Sequence, residues 1–393
     1  MLRPGLALIL LLWSFATFAT EPIRIGVSGP FTGGSSPMGL SMLAGIRIAV
    51  DEVNAGGGVL GRPIELIERD DEARNEKGAE VVRQLIEEDG VVAGLGIVNT
   101  GVALASQRLY QIARIPVITS VATGTLITRQ FVPPEHPDNF VFRVSANDTL
   151  QAAMIVTEAI DRQGLSRVAI FHDATNYGQL GREDLEKALA ARGVQPVVIE
   201  RFQLRQADMT PLLRRAREAG AEAILTYGIG PELAQIANGM ARQGWRVPLI
   251  GSWTLAMSNF IDDAGPNAEG ARMPQTFIAE PTSERRRAFL DSWTLHTGNP
   301  RIPVPPAAAQ GYDSLLLLVA AIRQAEDTDG DRIREALEAL DETVEGVVMT
   351  YRRPFSRENH ESITRDHEIF MGEIRGGRVV FAYESDRQRA SRP

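Results

Sequence analysis

Short runs of β-branched residues alternate with amphipathic stretches from Ile23 onward. The apolar runs are bounded by glycine and proline clusters, which is typical of buried parallel strands connected by helices. This alternation predicts an α/β fold with helices on both faces of a mostly parallel sheet. The predicted strands are 23–28, 64–69, 91–95 and 116–119, and the predicted helices are 40–54, 75–89 and 102–113.

A second series of elements begins near Asn147 and repeats the layout of the first. In both series a strand ends in an acidic residue, a polar loop follows, and a helix ends at a Gly-Val pair, Gly90-Val91 or Gly193-Val194. The repetition predicts two doubly wound lobes that enclose a cleft at the carboxyl ends of their strands. The second series comprises a helix at 147–163, strands at 167–171, 223–226 and 247–250, and a helix at 232–243.

The N-terminus has the features of an export signal. Arg3 supplies the positive region, an apolar core runs from Leu6 to Phe18, and small residues at Thr17 and Ala19 suit cleavage after Ala19. The apolar core is too short for an ordinary spanning helix, which disfavours the alternative of a membrane anchor. We therefore expect residues 1–19 to be a signal peptide and the mature chain to be exported to a periplasm.

Composition excludes several classes of protein. The 393 residues contain no cysteine, which removes disulfide scaffolds, cysteine-ligated metal centres and thiol nucleophiles. The 50 acidic residues outnumber the 41 basic ones, so there is no electrostatic footprint for nucleic acid. The length suits two or three domains with ordinary cores.

No catalytic motif is evident. The five histidines show no tight metal spacing, and the nearest match to a Gly-x-Ser-x-Gly elbow, at residues 26–30, ends in proline. The glycines at 94, 96 and 101 do not fit a dinucleotide loop, whose third glycine is placed differently. We therefore expect neither enzymatic activity nor a cofactor or metal, although an enzyme acting on a small organic acid stays an alternative.

Small polar residues follow two neighbouring strands. Asn99 and Thr100 come after the third strand and open a helix, where a hydroxyl and backbone N–H groups suit an anion. The segment from Ser120 to Gly124 follows the fourth strand and has the same character. Each segment alone is explained as a helix cap or turn, but together they predict a cradle for a carboxylate.

Several segments resemble those of the leucine/isoleucine/valine-binding proteins, which are type I periplasmic binding proteins of ABC importers. The resemblance covers 23–381 and rests on the opening segment Ile25-Gly-Val-Ser-Gly-Pro-Phe-Thr-Gly33 and on Asn54-Ala-Gly-Gly-Gly58, Asp70-Asp71, Ile118-Thr-Ser-Val-Ala-Thr123, His172-Asp173 and Tyr177-Gly178. It implies two lobes joined by a three-stranded hinge, with crossings near Arg143, Thr276 and Thr350. The expected division is 22–143 with 277–350 for the first lobe, 144–276 with 351–385 for the second, and a polar tail at 386–393.

The family's ligand contacts fall on this sequence unevenly. The positions that hold the ligand carboxylate correspond to Thr100 and to Thr123, beside Val121 and Ala122. The glutamate that pairs with the ligand ammonium corresponds to Trp253. A first-loop tyrosine corresponds to Met38 and another to Ile229, where Tyr227 is close enough to substitute. The resemblance thus implies a site that contains Met38, Asn99, Thr100, Val121, Ala122, Thr123, Tyr177, Tyr227 and Trp253.

The loss of the glutamate bears on the ligand. A buried ammonium without a carboxylate is costly, and a cation–π contact of about 1 to 2 kcal/mol compensates poorly. We therefore expect an aromatic or other organic acid stacked on Trp253. If a carboxylate such as Asp262 or Asp263 reaches the pocket, a branched-chain amino acid is favoured instead. The implied partners are a small carboxylate ligand and the membrane permease of an ABC importer, and we expect a monomer.

Two other classes share the fold. A sensor ectodomain would be followed by a membrane span and a signalling module, whereas this sequence ends in a polar segment. A transcription regulator would carry a DNA-binding headpiece in place of the export signal. Both are therefore less favoured than an importer receptor, and the receptor of a sensing system stays the alternative.

Overall fold

The computed structural model describes residues 21–391, so the predicted signal peptide lies outside the described residues. The first five strands form one sheet in the order β2-β1-β3-β4-β5, and all of them are parallel. Both faces of the sheet are covered, since the consecutive residues of β1 from Ile25 to Gly29 are all buried. The strands are β1 Ile23–Gly29, β2 Ile64–Asp70, β3 Ala93–Gly96, β4 Val117–Thr119 and β5 Val141–Arg143, and the first helices are α1 Ser36–Ala55, α2 Asn75–Glu87 and α3 Thr100–Ala113.

The second sheet has seven strands and begins after the chain leaves β5. Its five parallel strands are β6 Val168–Asp173, β7 Val198–Phe202, β8 Ala223–Tyr227, β9 Leu249–Gly251 and β10 Arg272–Gln275. The accompanying helices are α4 Asp148–Val156, α5 Asn176–Ala190, α6 Thr210–Glu218, α7 Gly230–Arg242 and α8 Ser258–Ala264. Helix α4 continues into a π-helical segment, Thr157–Arg162, so the predicted helix at 147–163 changes its hydrogen-bonding pattern midway.

After β10 the chain returns to the first sheet. It forms α9 Glu284–Thr297, α10 Pro305–Ala325 and α11 Gly330–Glu338, then a ribbon of β11 Val344–Glu345 and β12 Thr350–Tyr351. Helix α10 packs along α1 and against β3 and β4. The approach of the two helices is close, since a Cβ at Gly45 would lie 2.0 Å from the carbonyl oxygen of Ala308. The first lobe is this sheet with the helices packed on it.

The chain then crosses to the second sheet for the last time. Strands β13 Phe370–Arg375 and β14 Arg378–Phe381 extend that sheet through antiparallel pairing of β13 with β10, and α12 Glu384–Ala390 follows. Residues 386–390, which lie in the segment expected to be a polar tail, are helical. Asp386 is buried there because its carboxylate accepts a hydrogen bond from the backbone N–H of Met371. The residue limits of the two lobes stay a prediction.

The observed architecture is the predicted one, with two doubly wound lobes of mostly parallel strands. The edge strand β7 has no counterpart among the predicted strands. Its charged residues Glu200 and Arg201 interrupt the apolar pattern that marks the central strands. Within residues 21–391, none of the helices is both long and apolar enough to cross a membrane.

Candidate functional site

The carboxyl ends of the strands in both lobes face one interlobe cleft, and hydrogen bonds cross it. The hydroxyl of Thr125, in the loop after β4, donates to Asp184 of α5 at 2.8 Å. The side-chain amide of Asn259, in α8, donates to the carbonyl oxygen of Gly34 at 2.9 Å. The two lobes are therefore in contact at the mouth of the cleft.

Thr100 joins the two polar loops of the first lobe. It is the first residue of α3, preceded by the extended Asn99, and its hydroxyl accepts a hydrogen bond from the backbone N–H of Gly124 at 3.3 Å. A Cβ at Gly124 would lie 2.3 Å from the Thr100 methyl group, so this approach requires a glycine. The predicted anion cradle thus has its hydroxyl at a helix N-terminus, where the exposed N–H groups and the helix dipole favour negative charge.

The segment of Val121, Ala122 and Thr123 is fixed by its backbone. The N–H of Ala122 donates to the carbonyl oxygen of Ile97 at 3.0 Å, and the hydroxyl of Ser145 donates to the carbonyl oxygen of Ala122 at 2.9 Å. All three residues of the segment are buried. These bonds place the Thr123 side chain next to the start of α4.

Asp148 is a site residue that the sequence analysis does not identify. Its backbone N–H donates to the carbonyl oxygen of Thr123 at 2.9 Å, and its side chain is fully buried. Among the described residues, neither carboxylate oxygen has a hydrogen-bond partner of good geometry. Burial raises the pKa of Asp148 to about 7, against the opposing effects of the Thr123 hydroxyl and the charge of Arg143.

Two tyrosines of the second lobe lie near this carboxylate. The rings of Tyr177 and Tyr227 meet edge to face with centroids 5.3 Å apart, and the hydroxyl of Tyr227 donates to the carbonyl oxygen of Asp148 at 3.3 Å. The hydroxyl of Tyr177 donates to Ser252 at 2.6 Å. Burial, followed by the charge of Asp148, raises the pKa of both phenols well above the usual value, so both stay neutral donors.

Trp253 begins the short 3-10 helix Trp253–Ala256 after β9 and is anchored through its backbone. Its N–H donates to the side-chain oxygen of Gln151 at 3.1 Å, and its carbonyl oxygen accepts from Gln275 at 3.3 Å. Trp253 and Thr123 line one cavity of about 10 Å³. The full lining is Thr123, Ala146, Gln151, Trp253, Pro274, Gln275, Thr276, Pro306, Gln310 and Ile369.

Other expected residues lie elsewhere. Met38 is buried in α1 and is not part of the cavity lining. Asp262 is paired at the surface with Arg301 at 2.6 Å, and the carbonyl oxygen of Asp263 accepts from Asn238 at 2.9 Å. Asp148, like Thr100, Tyr177 and Tyr227, is not part of the cavity lining either, but it is bonded to Thr123 through its backbone N–H, whereas Asp262 and Asp263 have other partners. Within residues 21–391, the acidic and histidine side chains form no cluster of three or more arranged to hold a metal ion.

The sequence analysis also overlooks Gln151, Gln275 and Gln310, since single glutamines in apolar segments carry no motif. Asp148 carries no distinguishing signal either. Asn147 caps α4 by accepting from the backbone N–H of Leu150 at 2.9 Å, and an acid in the first turn beside such a cap is a common feature of helices.

Two lobes closed over hydroxyls, a helix N-terminus and a buried carboxylate define a class of protein, the two-lobed receptors that enclose small solutes. The chain belongs to the periplasmic binding protein family, whose model matches residues 22–378. The relatives are binding proteins. The chain is 26% identical over 330 residues to the leucine-, isoleucine-, valine-, threonine- and alanine-binding protein of Pseudomonas aeruginosa, covering 83% of this chain and 85% of that protein. It is 28% identical over 268 residues to Leu/Ile/Val-binding protein homolog 2 of Brucella abortus, covering 68% and 70%.

Solved structures share the fold. A type 1 periplasmic binding protein from Bordetella pertussis superposes with a TM-score of 0.82 at 25% identity, covering 92% of this chain and 99% of that one. The branched-chain amino acid transporter substrate-binding protein of Streptococcus pneumoniae gives a TM-score of 0.81 at 22% identity, covering 91% and 98%. The resemblance inferred from the sequence, the fold class and the assignment to binding proteins rather than enzymes are thereby confirmed.

Proposed function

We propose that this protein is the substrate-binding component of an ABC importer and that it encloses a small neutral α-amino acid. The observation that carries the proposal is Asp148, a buried carboxylate without a good hydrogen-bond partner among the described residues, next to the hydroxyl-bearing loops. An anion cradle and a free carboxylate side by side are complementary to a zwitterion.

The carboxylate of the ligand is assigned to Thr100, Thr123 and the N-terminus of α3. This end of the site has hydroxyls and N–H groups but needs no cationic side chain, because charge-assisted hydrogen bonds to a helix N-terminus hold an anion. Asn99 adjoins the same end of the site because it directly precedes Thr100, and its side-chain amide donates to Ser35 at 3.2 Å.

The ammonium of the ligand is assigned to Asp148. A buried ammonium needs a carboxylate, and the resemblance inferred from the sequence implies Trp253 at the position of the family's glutamate. Asp148 supplies the missing charge from another element, α4, and the neutral rings of Tyr177 and Tyr227 adjoin it. The absence of a glutamate at the position of Trp253 therefore no longer disfavours an amino acid as the ligand.

The relatives support this choice. The Pseudomonas aeruginosa protein is named for binding leucine, isoleucine, valine, threonine and alanine, and the Streptococcus pneumoniae structure is a complex with isoleucine. All of these ligands are neutral amino acids with small or medium side chains. The same relatives support the remaining parts of the proposal, namely a periplasmic location and delivery of the ligand to a membrane permease, by a receptor that we take to be monomeric.

An aromatic acid is the second candidate. Trp253 lines the cavity, and an indole face suits a stacked ring. Two solute-binding proteins from R. palustris, with TM-scores of 0.77 and 0.78, are complexes with benzoate and 4-hydroxybenzoate. A benzoate, however, has no positive charge to place beside Asp148, which makes this candidate weaker than an amino acid.

The test begins with mass spectrometry of small molecules released by denaturing the freshly purified protein, followed by calorimetric titration with leucine, threonine and benzoate. We expect a neutral amino acid, with affinity at least about 100-fold weaker in Asp148→Asn because a buried charge pair is lost. Asp262→Asn, which alters a surface acid paired with Arg301 away from the cavity, is the control. Tight benzoate binding that survives Asp148→Asn would favour the aromatic acid, and binding of none of the three would reject the proposed ligand class.

A further inference from the structure

Three residues that line the cavity beside Thr123 each have a polar side-chain atom without a hydrogen-bond partner. The atoms are the indole Nε1 of Trp253 and the side-chain oxygens of Gln275 and Gln310, for which the described residues provide no partner. The three residues are only 6%, 1% and 3% exposed. Because a buried polar atom without a partner is costly, three of them around one cavity indicate a bound group that pairs with them.

The hydrogen bonds of the two glutamines show which of their atoms are free. The nitrogen of Gln275 donates to the carbonyl oxygens of Trp253 at 3.3 Å and Pro274 at 2.7 Å, so a turned amide would bring its oxygen against two acceptors. The nitrogen of Gln310 donates to the hydroxyl of Thr276 at 2.8 Å. The free atoms are therefore two acceptors and one donor.

The rest of the lining limits the bound group further. Gln151 already uses both ends of its amide, since its oxygen accepts from the backbone N–H of Trp253 at 3.1 Å and its nitrogen donates to the carbonyl oxygen of Ala146 at 3.0 Å. None of the ten lining residues carries a charge, so an ion would be buried here without a counter-charge. The bound group is therefore neutral, and it must both donate and accept.

One water molecule meets these requirements. It donates one hydrogen to each glutamine oxygen and accepts the indole N–H, which gives about the three hydrogen bonds that a buried water usually makes. The cavity of about 10 Å³ is close to the ~10–15 Å³ that a water needs. A hydroxyl group has a single hydrogen to donate, so it would leave one of the two oxygens without a donor.

The cavity lies where the three connections between the two sheets run together. Ala146 follows β5 on the first connection, Gln275 ends β10 at the start of the second, and Ile369 directly precedes β13 at the end of the third. Gln310 belongs to α10, which packs against the first sheet, whereas Trp253 follows β9 of the second sheet. A water held by Gln310 and Trp253 therefore links the two lobes at the hinge.

We propose that one water molecule is bound between Trp253, Gln275 and Gln310 and belongs to the hinge in both the ligand-free and the ligand-bound protein. It anchors the indole of Trp253, a residue otherwise hydrogen-bonded only through its backbone. A rotation of one lobe relative to the other displaces the atoms near the connections least, so opening of the cleft leaves the three hydrogen bonds in place. The inference goes beyond the proposed function and holds for either candidate ligand.

The experiment detects the water through the indole proton of Trp253, by NMR of the isotope-labelled mature protein. The indole signal is assigned by its absence in Trp253→Phe. A cross peak between this proton and the water resonance, with opposite signs in laboratory-frame and rotating-frame Overhauser spectra, identifies a water that stays bound for longer than the protein takes to tumble. We expect this cross peak in the ligand-free protein and after addition of whichever of leucine, threonine and benzoate binds.

Gln310→Leu should lose the cross peak, because it removes one acceptor and places apolar atoms in the cavity. Gln310→Met, whose side chain is unbranched like that of glutamine, repeats the test if the leucine variant does not fold. Gln107→Leu is the matched control and should keep the cross peak, since Gln107 is a buried glutamine of α3 that bonds to Thr119 at 2.6 Å and is not part of the cavity lining.

A crystal structure of the native protein should show the same water at about 2.7–3.2 Å from the indole nitrogen. Absence of both the cross peak and the ordered water would overturn the inference, since the cavity would then be dry. A water that persists unchanged in the folded Gln310 variants, or one that leaves when a ligand binds, would also overturn it. These outcomes do not depend on which ligand binds, so they are distinguishable from a failure of the proposed function.

Discussion

The buried guanidinium of Arg143 pairs with the carboxylate of Glu361 at the point where two connections between the lobes run side by side. Backbone hydrogen bonds flank the pair, from the N–H of Arg143 to the carbonyl oxygen of His360 at 2.9 Å and from the N–H of Ser362 to the carbonyl oxygen of Arg143 at 3.0 Å. Arg143 also donates to the carbonyl oxygen of Gly124 at 2.7 Å, one residue after Thr123. The ion pair therefore ties the hinge to the loop of the proposed ligand site.

Glu361→Gln should destabilise the protein by about 3–5 kcal/mol, because it leaves Arg143 buried without its counter-charge. The carboxylate also accepts hydrogen bonds from Thr128 and Asn147, so the amide nitrogen of the glutamine would in addition face one of these donors. Denaturant unfolding at neutral pH measures the difference. Asp341→Asn is the control, since Asp341 pairs with Arg353 at the exposed surface and its loss should cost less than about 1 kcal/mol.

The same ion pair predicts how the stability of the protein changes at acidic pH. Burial raises the pKa of Glu361, but Arg143 and the hydrogen bonds from Thr128 and Asn147 outweigh it and hold the pKa below its ordinary value. A lowered carboxylate pKa contributes stability above the unfolded-state pKa, which is lost as pH falls through the folded-state pKa. The stability gap between the native protein and Glu361→Gln should therefore narrow below about pH 4. A gap that stays constant to pH 3 would contradict this account.

The affinity for an amino acid should depend on pH through Asp148. In the free protein the pKa of Asp148 is raised to about 7, and pairing with a ligand ammonium must lower it. Binding then releases a proton below pH 7, so affinity should fall by up to about tenfold per unit between about pH 7 and 5 and level off above pH 7. Asp184, Arg143 and Glu361 also act on this carboxylate, and their charges are already included in the raised pKa.

Calorimetry in buffers of different ionisation enthalpy measures the proton release directly. Asp148→Asn should abolish both the proton release and the pH dependence in this range. A ligand without an ammonium should behave in the opposite way, because its negative charge disfavours the ionised Asp148, and its affinity should rise as pH falls. The sign of the slope therefore distinguishes an amino acid from an aromatic acid.

Periodicity and turn residues were sufficient to predict most of the fold. Central strands such as β1 and β6 are continuous apolar runs, because helices cover both of their faces. The edge strand β7 was not predicted because charged residues interrupt its apolar pattern. Arg201 is exposed there, and Glu200 is buried in an ion pair with Arg215. The helix around Asp386 was not predicted either. The carboxylate of Asp386 accepts a hydrogen bond from the backbone N–H of Met371, and the local sequence does not reveal this contact.

The candidate site was predictable only where it follows strand ends. Thr100 follows β3 and Thr123 follows the neighbouring strand β4, so their proximity follows from the order of a parallel sheet. Asp148 was not predictable in this way, since its environment comes from the loop after β4 and from tyrosines on α5 and β8. An alignment shows only which residue occupies the position of the family's glutamate. A charged ligand group, however, can be paired by a carboxylate from any element that reaches the site.

Thr100→Val should weaken ligand binding by about 10- to 100-fold, because it removes a hydroxyl proposed to bond to a charged carboxylate. Thr100→Ser keeps the hydroxyl and should lose much less affinity. Thr100→Val keeps the methyl group that packs near Gly124 and replaces the hydroxyl, whereas Thr100→Ser keeps the hydroxyl and removes that methyl group, so the comparison of each variant with the native protein tests one group. Equal affinities of the valine and serine variants would remove Thr100 from the carboxylate end of the site.

Gly45→Ala should destabilise the first lobe by about 1–3 kcal/mol or more through forced separation of α1 from α10. The added Cβ would lie 2.0 Å from the carbonyl oxygen of Ala308, a backbone atom that cannot rotate away. Gly56→Ala, at the end of the same helix, meets only ordinary contacts at 3.4 and 3.5 Å and has a negative φ of −79°. It should be neutral or slightly stabilising, since alanine restricts the unfolded chain. Thermal unfolding of the two variants compares them directly, and a Gly45→Ala protein as stable as Gly56→Ala would show that the two helices do not pack as closely as described.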